Sequence, residues 1–419
     1  MTFRYPFLAA VCALLLAACA SHPPAPVPLA SQPSAPRKLL LISIDGLRAD
    51  ALDRGLSPNL SRLAREGVRA RWMSPSYPSL TFPNHYTIVT GLRPDHHGIV
   101  HNNMQDPVLG RFSLGDRAAV SEPRWWGGEP IWIGATRTGI RSAIWAWPGS
   151  EAPIQGQHPT RWKVFDSSIP PAARVDEVLG WLGETGADAP RLLTLYFDQV
   201  DHAGHDRGPD SPEYAQAIAD TDAAIGRLLD GMARQHVLDS TDIVVVSDHG
   251  MASVEPGHTV ALEDMVPPEQ ARIVAAGQSI GIEPLPGQRA AAEARLLGAH
   301  DHYDCWRKQD LPARWHYGSN PRIPAIVCQM HEGWDALPRT QADKRSEEQE
   351  RTRGSHGYDP ALPSMRAVFI ARGPSFAVGR QLAPFDNVDV YPLLARLLGI
   401  APAPNDGDPR TLLPALRAD

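Results

Sequence analysis

Five short runs along the chain are apolar on both faces: KLLLISID (38–45), RSAIWAW (141–147), RLLTLYFD (191–198), TDIVVVSD (241–248) and RAVFIARG (366–373). Runs of this kind, rich in Leu, Ile and Val, suit strands of a parallel sheet covered on both sides by helices. Segments with helical period lie between them. One spans 57–67, with Ser57 as cap, Pro58 at the first helical position and Gly67 as the stop. A second, 211–235, repeats the Ser-Pro start and places Tyr214, Ile218, Ile225, Leu228, Leu229 and Met232 largely on one face. A third, 387–399, ends at Gly399. This alternation predicts an α/β fold with a doubly wound, mostly parallel sheet flanked by helices. Residues 260–350 break the pattern: they are rich in Ala, Arg and Pro with weak strand signals, and read as an insert or cap on a main domain at 38–415.

The first 37 residues belong to neither. FLAAVCALLLAA is an apolar run behind Arg4, too short to span a bilayer comfortably, and residues 1–19 read as a secretory leader. Its end, LAAC, resembles a lipoprotein signal in which Cys19 becomes the lipidated first residue; the alternative is an ordinary signal cleaved near Ala20. The Pro/Ala/Ser-rich stretch at 20–37 then serves as a tether. The expected location is periplasmic, with the membrane reached only through this anchor. Of four cysteines, Cys12 and Cys19 fall in the leader, leaving Cys305 and Cys328 as a candidate disulfide in an oxidising compartment. A net charge of −7 argues against a nucleic-acid surface, so an anionic substrate would need a local site.

Chemistry collects at the strand ends. LISID ends in Asp45; LYFDQVDHAGH carries Asp198, Asp201, His202 and His205; VVVSDHG ends in Asp248 and His249. Ligands of open α/β sheets gather at the carboxyl ends of strands, and a buried carboxylate is costly unless paired or bound to a cation. Mixed Asp and His without thiolate suits zinc or a similar divalent ion. Asp201 and His205 are four apart, hence on one helical face. His356, in RGSHGYDP, sits between near-adjacent glycines that free the backbone to bend. Singly, each has a bland reading: Asp248 a turn former, His205 a surface group, Asp45 a helix cap. His96, His97, His101, His202, His302 and His316 read as loop or surface groups, and Trp125 and Trp126 as packing. No nucleotide-binding glycine loop is present. In SLTFPNHYT, Pro83 is expected at the first helical position, with Phe82 at the cap and Thr81 just before it. Amides there would face an anion.

Taken together, SIDGLR, TFPNHYTIVTGLRPDHHGIVHNNMQDP, WPGS, YFDQVDHAGHDRGP, VVVSDHGM and GSHGYDP resemble, in order, the nucleotide pyrophosphatase/phosphodiesterase family of the alkaline phosphatase superfamily, over roughly residues 38–375. The resemblance implies two zinc ions. Asp45, Thr81, Asp248 and His249 would hold the one beside the nucleophile, and Asp201, His205 and His356 the one facing the leaving group. Thr81 would attack phosphorus to give a phospho-threonine intermediate, and Asn102, rather than its neighbour Asn103, would bond a non-bridging oxygen. Phe82 and Tyr196, with Leu114, would hold a nucleobase. The implied substrate is a nucleotide or other small phosphodiester, cleaved to a 5′-monophosphate. Asp198 receives no role.

The rival readings are a phosphomonoesterase of the same superfamily, with Lys163 as the residue that would serve the extra charge, a lysophospholipid-type phosphodiesterase, and a non-catalytic surface lipoprotein. A sulfatase lacks its nucleophilic cysteine here, and a phosphate mutase fits the Thr-Phe-Pro-Asn-His stretch poorly.

Overall fold

A computed structural model describes residues 1–2, 37–347 and 351–418. Cys12, Cys19 and nearly all of the leader and tether lie outside the described residues. Residues Arg37–Asp419 form one compact unit. Its frame is an eight-stranded sheet of β1 (Lys38–Ile44), β2 (Val68–Ala70), β3 (Ser142–Trp145), β4 (Arg161–Lys163), β5 (Leu192–Phe197), β6 (Thr241–Val246), β7 (Phe369–Arg372) and β8 (Arg380–Leu382), in the order β8-β2-β7-β6-β1-β5-β3-β4. All pairs are parallel except those of β7, which runs antiparallel to both β6 and β2. The run at 366–373 therefore forms a strand of the opposite sense, which its two-faced hydrophobicity does not distinguish. Strand β1 is central: Ile42 lies in register with Leu195 on one side and Val245 on the other.

Both faces of the sheet are covered. Leu40 and Ile42 of β1 pack with α1 (Pro58–Glu66), α3 (Pro171–Leu182) and α5 (Pro212–Arg234); Leu39 and Leu41 pack on the other side with α2 (Thr81–Thr90) and α6 (Val390–Leu398). Each such Leu or Ile contributes about 1.5–3 kcal/mol when fully buried. Helix α4 (Gln199–Arg207) follows β5 directly. Ser57 precedes α1 as expected, yet its hydroxyl caps nothing; Asp222 of α5 instead accepts from the Asn59 and Leu60 N–H groups, at 3.0 and 2.8 Å. Trp125 and Trp126 are buried packing groups.

The 260–350 region is more ordered than its composition suggests. It contains a five-stranded, fully antiparallel sheet of Ala271–Ala275, Ser279–Pro284, Ile326–Met330, Tyr303–Arg307 and Gly298–Ala299, in that spatial order, with its own apolar core. Cys305 and Cys328 lie opposite each other on neighbouring strands and form a disulfide.

Candidate active site

Strands β5, β1 and β6 are neighbours, so their carboxyl ends deliver acids and imidazoles to one place. Asp45 follows β1, Asp248 and His249 follow β6, and α4, opening after β5, carries Asp201 and His205 on one face. His356 arrives from the other direction, just beyond the strand Arg353–Ser355, which pairs with Ala252–Val254. The result is two clusters of ligand-type atoms, Asp45/Asp248/His249 and Asp201/His205/His356. They adjoin: the His249 and His356 rings stack at 3.6 Å. Two glycines make the approach possible. Gly46 has φ +67°, and a Cβ there would lie 2.9 Å from Asp201. A Cβ on Gly354 would lie 2.3 Å from the Gly204 carbonyl, so this glycine serves close approach to α4 rather than free bending.

The polar accounting points to cations. His249, His205 and His356 each direct Nδ1 at a backbone carbonyl, of Gly250 (2.9 Å), Gly354 (3.0 Å) and Ser79 (2.9 Å) respectively. That arrangement fixes the tautomer and leaves each Nε2 lone pair for a metal. The Nε2 atoms come to 3.5 Å from Asp45 Oδ1, 2.9 Å from Asp248 Oδ2 and 3.5 Å from Asp201 in both of its contacts. Yet Asp45 Oδ1, Asp201 Oδ1 and Asp248 Oδ2 are all buried and accept no hydrogen bond. Orphaned buried carboxylate oxygens are rare and expensive, and one from each acid facing bare imidazole nitrogens is the donor set of a divalent-metal centre. Burial, reinforced by Asp248 and Asp201, pushes the Asp45 carboxyl well above its ordinary range. Burial would also raise Asp248, but His249 and His85 hold it well below. Burial, aided by His249 and His205, keeps His356 neutral. Without a cation this site is a strained set of like charges.

Thr81 stands beside the first cluster, its Oγ1 3.4 Å from His249 Nε2. It is the first residue of α2, with Leu80 as cap, so the helix begins two residues earlier than the proline suggests. Pro83 is tolerated there because first-turn N–H groups have no helical partner. Asn102 Oδ1 accepts from the Phe82 N–H at 3.0 Å, which leaves its amide NH₂ for the cleft that it lines. Asn103 faces a separate groove. The cleft, about 400 Å³, is bounded at one end by Asp45, Thr81, Asp201, His205 and His356, and elsewhere by Phe82, Leu114, Phe165 and Tyr196. Tyr196 is buried and its hydroxyl donates to Asp45 Oδ2 at 2.5 Å; burial and the adjacent Asp45 keep it protonated.

Other candidates lie elsewhere. Asp198 pairs with the fully buried Arg174 at 2.7 Å, and Lys163 with Glu177 at 3.0 Å. His97, at the end of the short helix Pro94–His97, and His101, in the loop that follows, are buried rather than surface groups. Missed in the sequence are Phe165, the Arg117–Glu151 ion pair at 2.7 Å on the cleft wall, and His85. His85 lies inside the Thr-Phe-Pro-Asn-His stretch; Phe165 and Arg117 carry no sequence signal beyond their nearness to motifs.

Residues 39–359 match the family described as type I phosphodiesterase / nucleotide pyrophosphatase. The chain belongs to this family. Its members are metal-dependent hydrolases of phosphodiester and pyrophosphate bonds, and the fold is the alkaline phosphatase-like α/β architecture of that group. A relative from Schizosaccharomyces pombe, described as an uncharacterized pyrophosphatase/phosphodiesterase, is 37% identical over 397 residues, or 90% of this chain and 80% of that protein. Ectonucleotide pyrophosphatase/phosphodiesterase family member 3 of Rattus norvegicus is 34% identical over 391 residues, 91% of this chain. The chain spans less than half of that protein (44%) and of a Macrovipera lebetinus venom phosphodiesterase (46%). Among solved structures, murine ectonucleotide pyrophosphatase/phosphodiesterase 5, as an inactive Thr-to-Ala variant in complex with AMP, superposes with a TM-score of 0.84 at 32% identity, covering 91% of this chain and 100% of that one.

Proposed function

We propose that the protein is a two-zinc nucleotide pyrophosphatase/phosphodiesterase that releases a 5′-nucleoside monophosphate through a phospho-threonine intermediate. The observation that carries this reading is the pair of adjoining Asp/His clusters, each with orphaned carboxylate oxygen, beside the Thr81 hydroxyl. Asp45, Thr81, Asp248 and His249 would hold one ion, and Asp201, His205 and His356 the other. Divalent zinc bound there supplies an acidified alcohol and charge neutralisation at both the attacking and leaving oxygens. Thr81 Oγ1 loses its proton to solvent and forms the bond to phosphorus as the bond to the leaving oxygen breaks on the opposite side. The Asn102 NH₂ donates to a non-bridging oxygen, and the positive end of α2 favours the anion. Water then attacks phosphorus and the bond to Thr81 breaks, restoring the hydroxyl. Phe82, Leu114 and the Tyr196 wall shape the cleft for a base. The AMP bound to a structural relative, and the inactivity of its threonine variant, support the same assignment.

A diester is favoured over a monoester by charge. The one arginine or lysine lining the described cleft, Arg117, is engaged by Glu151, and Lys163 by Glu177, so neither is uncommitted for a dianion. The test compares bis-p-nitrophenyl phosphate with p-nitrophenyl phosphate and measures bound zinc. Faster monoester turnover would overturn the diester reading; undiminished turnover in Thr81→Ala would remove the nucleophile. We further propose export and lipid anchoring through Cys19. The mass of the mature N-terminus, and release from membranes by Cys19→Ser, test that.

A further inference from the structure

His85 belongs to none of the roles above, yet it is fully buried at the point where three parts of the site meet. It lies four residues after Thr81 on α2, and helical side chains lean toward the N-terminus, so its ring covers the first turn. Its Nδ1 is 2.9 Å from the Thr81 carbonyl oxygen and 3.3 Å from Asp248 Oδ2. Its Nε2 is 2.7 Å from Ser43 Oγ, on β1 two residues before Asp45. The tautomer follows from the partners: two oxygen acceptors flank Nδ1, so Nδ1 carries the proton, and Nε2 accepts from the Ser43 hydroxyl. The ring is further held edge-on by Trp147 (5.1 Å) and Tyr196 (5.3 Å), and the latter donates to Asp45.

We propose that His85 is a positioning residue that locks the nucleophile's helical turn to the acid–histidine cluster: its one N–H, donated to the Thr81 carbonyl at 2.9 Å with Asp248 Oδ2 packed 3.3 Å away, sets where Thr81 Oγ1 sits relative to that cluster. Asp248 Oδ2 is an oxygen with no aligned hydrogen bond, facing His249 Nε2 on one side and His85 on the other. Without the imidazole, the carboxylate could rotate and the first turn of α2 would lose its tie to β1 and to the loop after β6. The inference rests on the two-zinc reading above.

The test uses the full-length protein loaded with zinc. His85→Leu keeps bulk and removes both nitrogens; His85→Asn restores an N–H near the Nδ1 position. We expect His85→Leu to lower kcat on bis-p-nitrophenyl phosphate by about 10–100-fold with KM nearly unchanged, and to weaken zinc affinity in a chelator competition by a similar factor, the usual size of effect for partners of metal ligands. His85→Asn should recover most of both losses. Ser43→Ala, a small change that leaves Nδ1 in place, should give a milder loss in the same direction and covers the case in which His85→Leu does not fold. The proposal is overturned if the variants keep kcat and zinc affinity within twofold, or if Leu and Asn fall equally while losing the same thermal stability, as a packing role would predict. Wild-type protein that takes up no zinc and shows no diester turnover would instead sink the underlying functional reading, and the positioning role with it.

Discussion

Two groups of buried histidines sit within one molecule and have opposite accounting. His249 and His356, with the less buried His205, spend Nδ1 on a carbonyl and present Nε2 to orphaned carboxylate oxygens, with Thr81 Oγ1 also 3.4 Å from that of His249. His97 and His101, beyond the end of α2, have both nitrogens satisfied. His97 Nδ1 accepts from the Ile99 N–H at 3.1 Å, and its Nε2 faces Thr87 Oγ1 at 3.0 Å and the Pro83 carbonyl at 3.2 Å. His101 Nδ1 accepts from the Asn103 N–H and its Nε2 faces the Ser279 carbonyl, both at 3.1 Å. Burial alone would place all of them in one class. What separates them is what the second nitrogen faces: in the saturated pair it meets a carbonyl or hydroxyl at 3.0–3.2 Å, whereas in the other group Nε2 faces carboxylate oxygens, with only the long 3.4 Å contact to Thr81 Oγ1 besides, the arrangement of a cation site.

The sharpest way to break the comparison is to substitute one member of the unsaturated group. His249→Gln should lower diester turnover by on the order of 10³-fold, since a metal ion's stabilisation of the transition state is worth several kcal/mol and each 1.36 kcal/mol is tenfold. Bound zinc should fall by about one equivalent, with the metal-free protein's melting temperature little changed. A variant that keeps both zinc equivalents would place His249 with the saturated group.

The saturated pair should reveal itself through pH. Burial lowers His97 to about 3 and His101 to about 4, against an ordinary 6.5. Both are neutral when folded but take up a proton when unfolded below 6.5, so their contribution is fully present above pH 6.5 and is lost as pH falls toward 4. At pH 5 the pair should have cost the metal-free protein about 4 kcal/mol relative to pH 8. Denaturant unfolding at both pH values checks this, and His101→Gln should remove roughly half of the difference. An unchanged pH dependence in His101→Gln would mean that the imidazole is charged in the fold.

This distinction was invisible in the sequence, where His96-His97 and His101 look alike. The strand ends were legible because β1, β5 and β6 are long, two-faced apolar runs that stop at acids, and the nearness of the Thr81 segment to them because its motif is dense. The sense of β7 was not legible, since a buried strand reads the same in either direction. Nor was the antiparallel sheet at 271–330, whose short strands pack on a small separate core and include residues such as Gly281 and Arg307. Strands of three residues, such as β2, β4 and β8, carry too few positions for a period to appear. His85 was missed for a related reason: of the groups around its ring only the Thr81 carbonyl is near in sequence, while Ser43 lies 42 positions away and Asp248 far beyond that.

Within the unsaturated group, exposure should grade the loss. The His205 side chain is 42% exposed, against 0% for His249. Water can take a vacated position at the open cluster more readily than at the buried one. His205→Gln should therefore cost about 10–100-fold in turnover, less than His249→Gln, and a chelator should strip the Asp201/His205/His356 ion first. Equal losses in the two variants would show that the clusters act as one indivisible centre.

The smallest effect is reserved for a histidine of neither kind. His302 stacks on Trp334 at 3.5 Å, in the inserted region, and Trp334 carries His258 as well, at 4.4 Å. Its ring is a partly exposed aromatic contact, and such stacked pairs are worth roughly 0.5–1.5 kcal/mol, least where water reaches them. His302→Ala should thus lower stability by no more than about 1 kcal/mol. Zinc content and diester turnover should remain at wild-type values, because the His302 ring touches none of the ligand side chains and the Trp334 carbonyl, which accepts from the Tyr358 hydroxyl near His356, is unchanged by the substitution. A loss of turnover in His302→Ala would mean that the inserted sheet communicates with the cleft, and that hydrogen-bond accounting at the histidines themselves is too local a criterion.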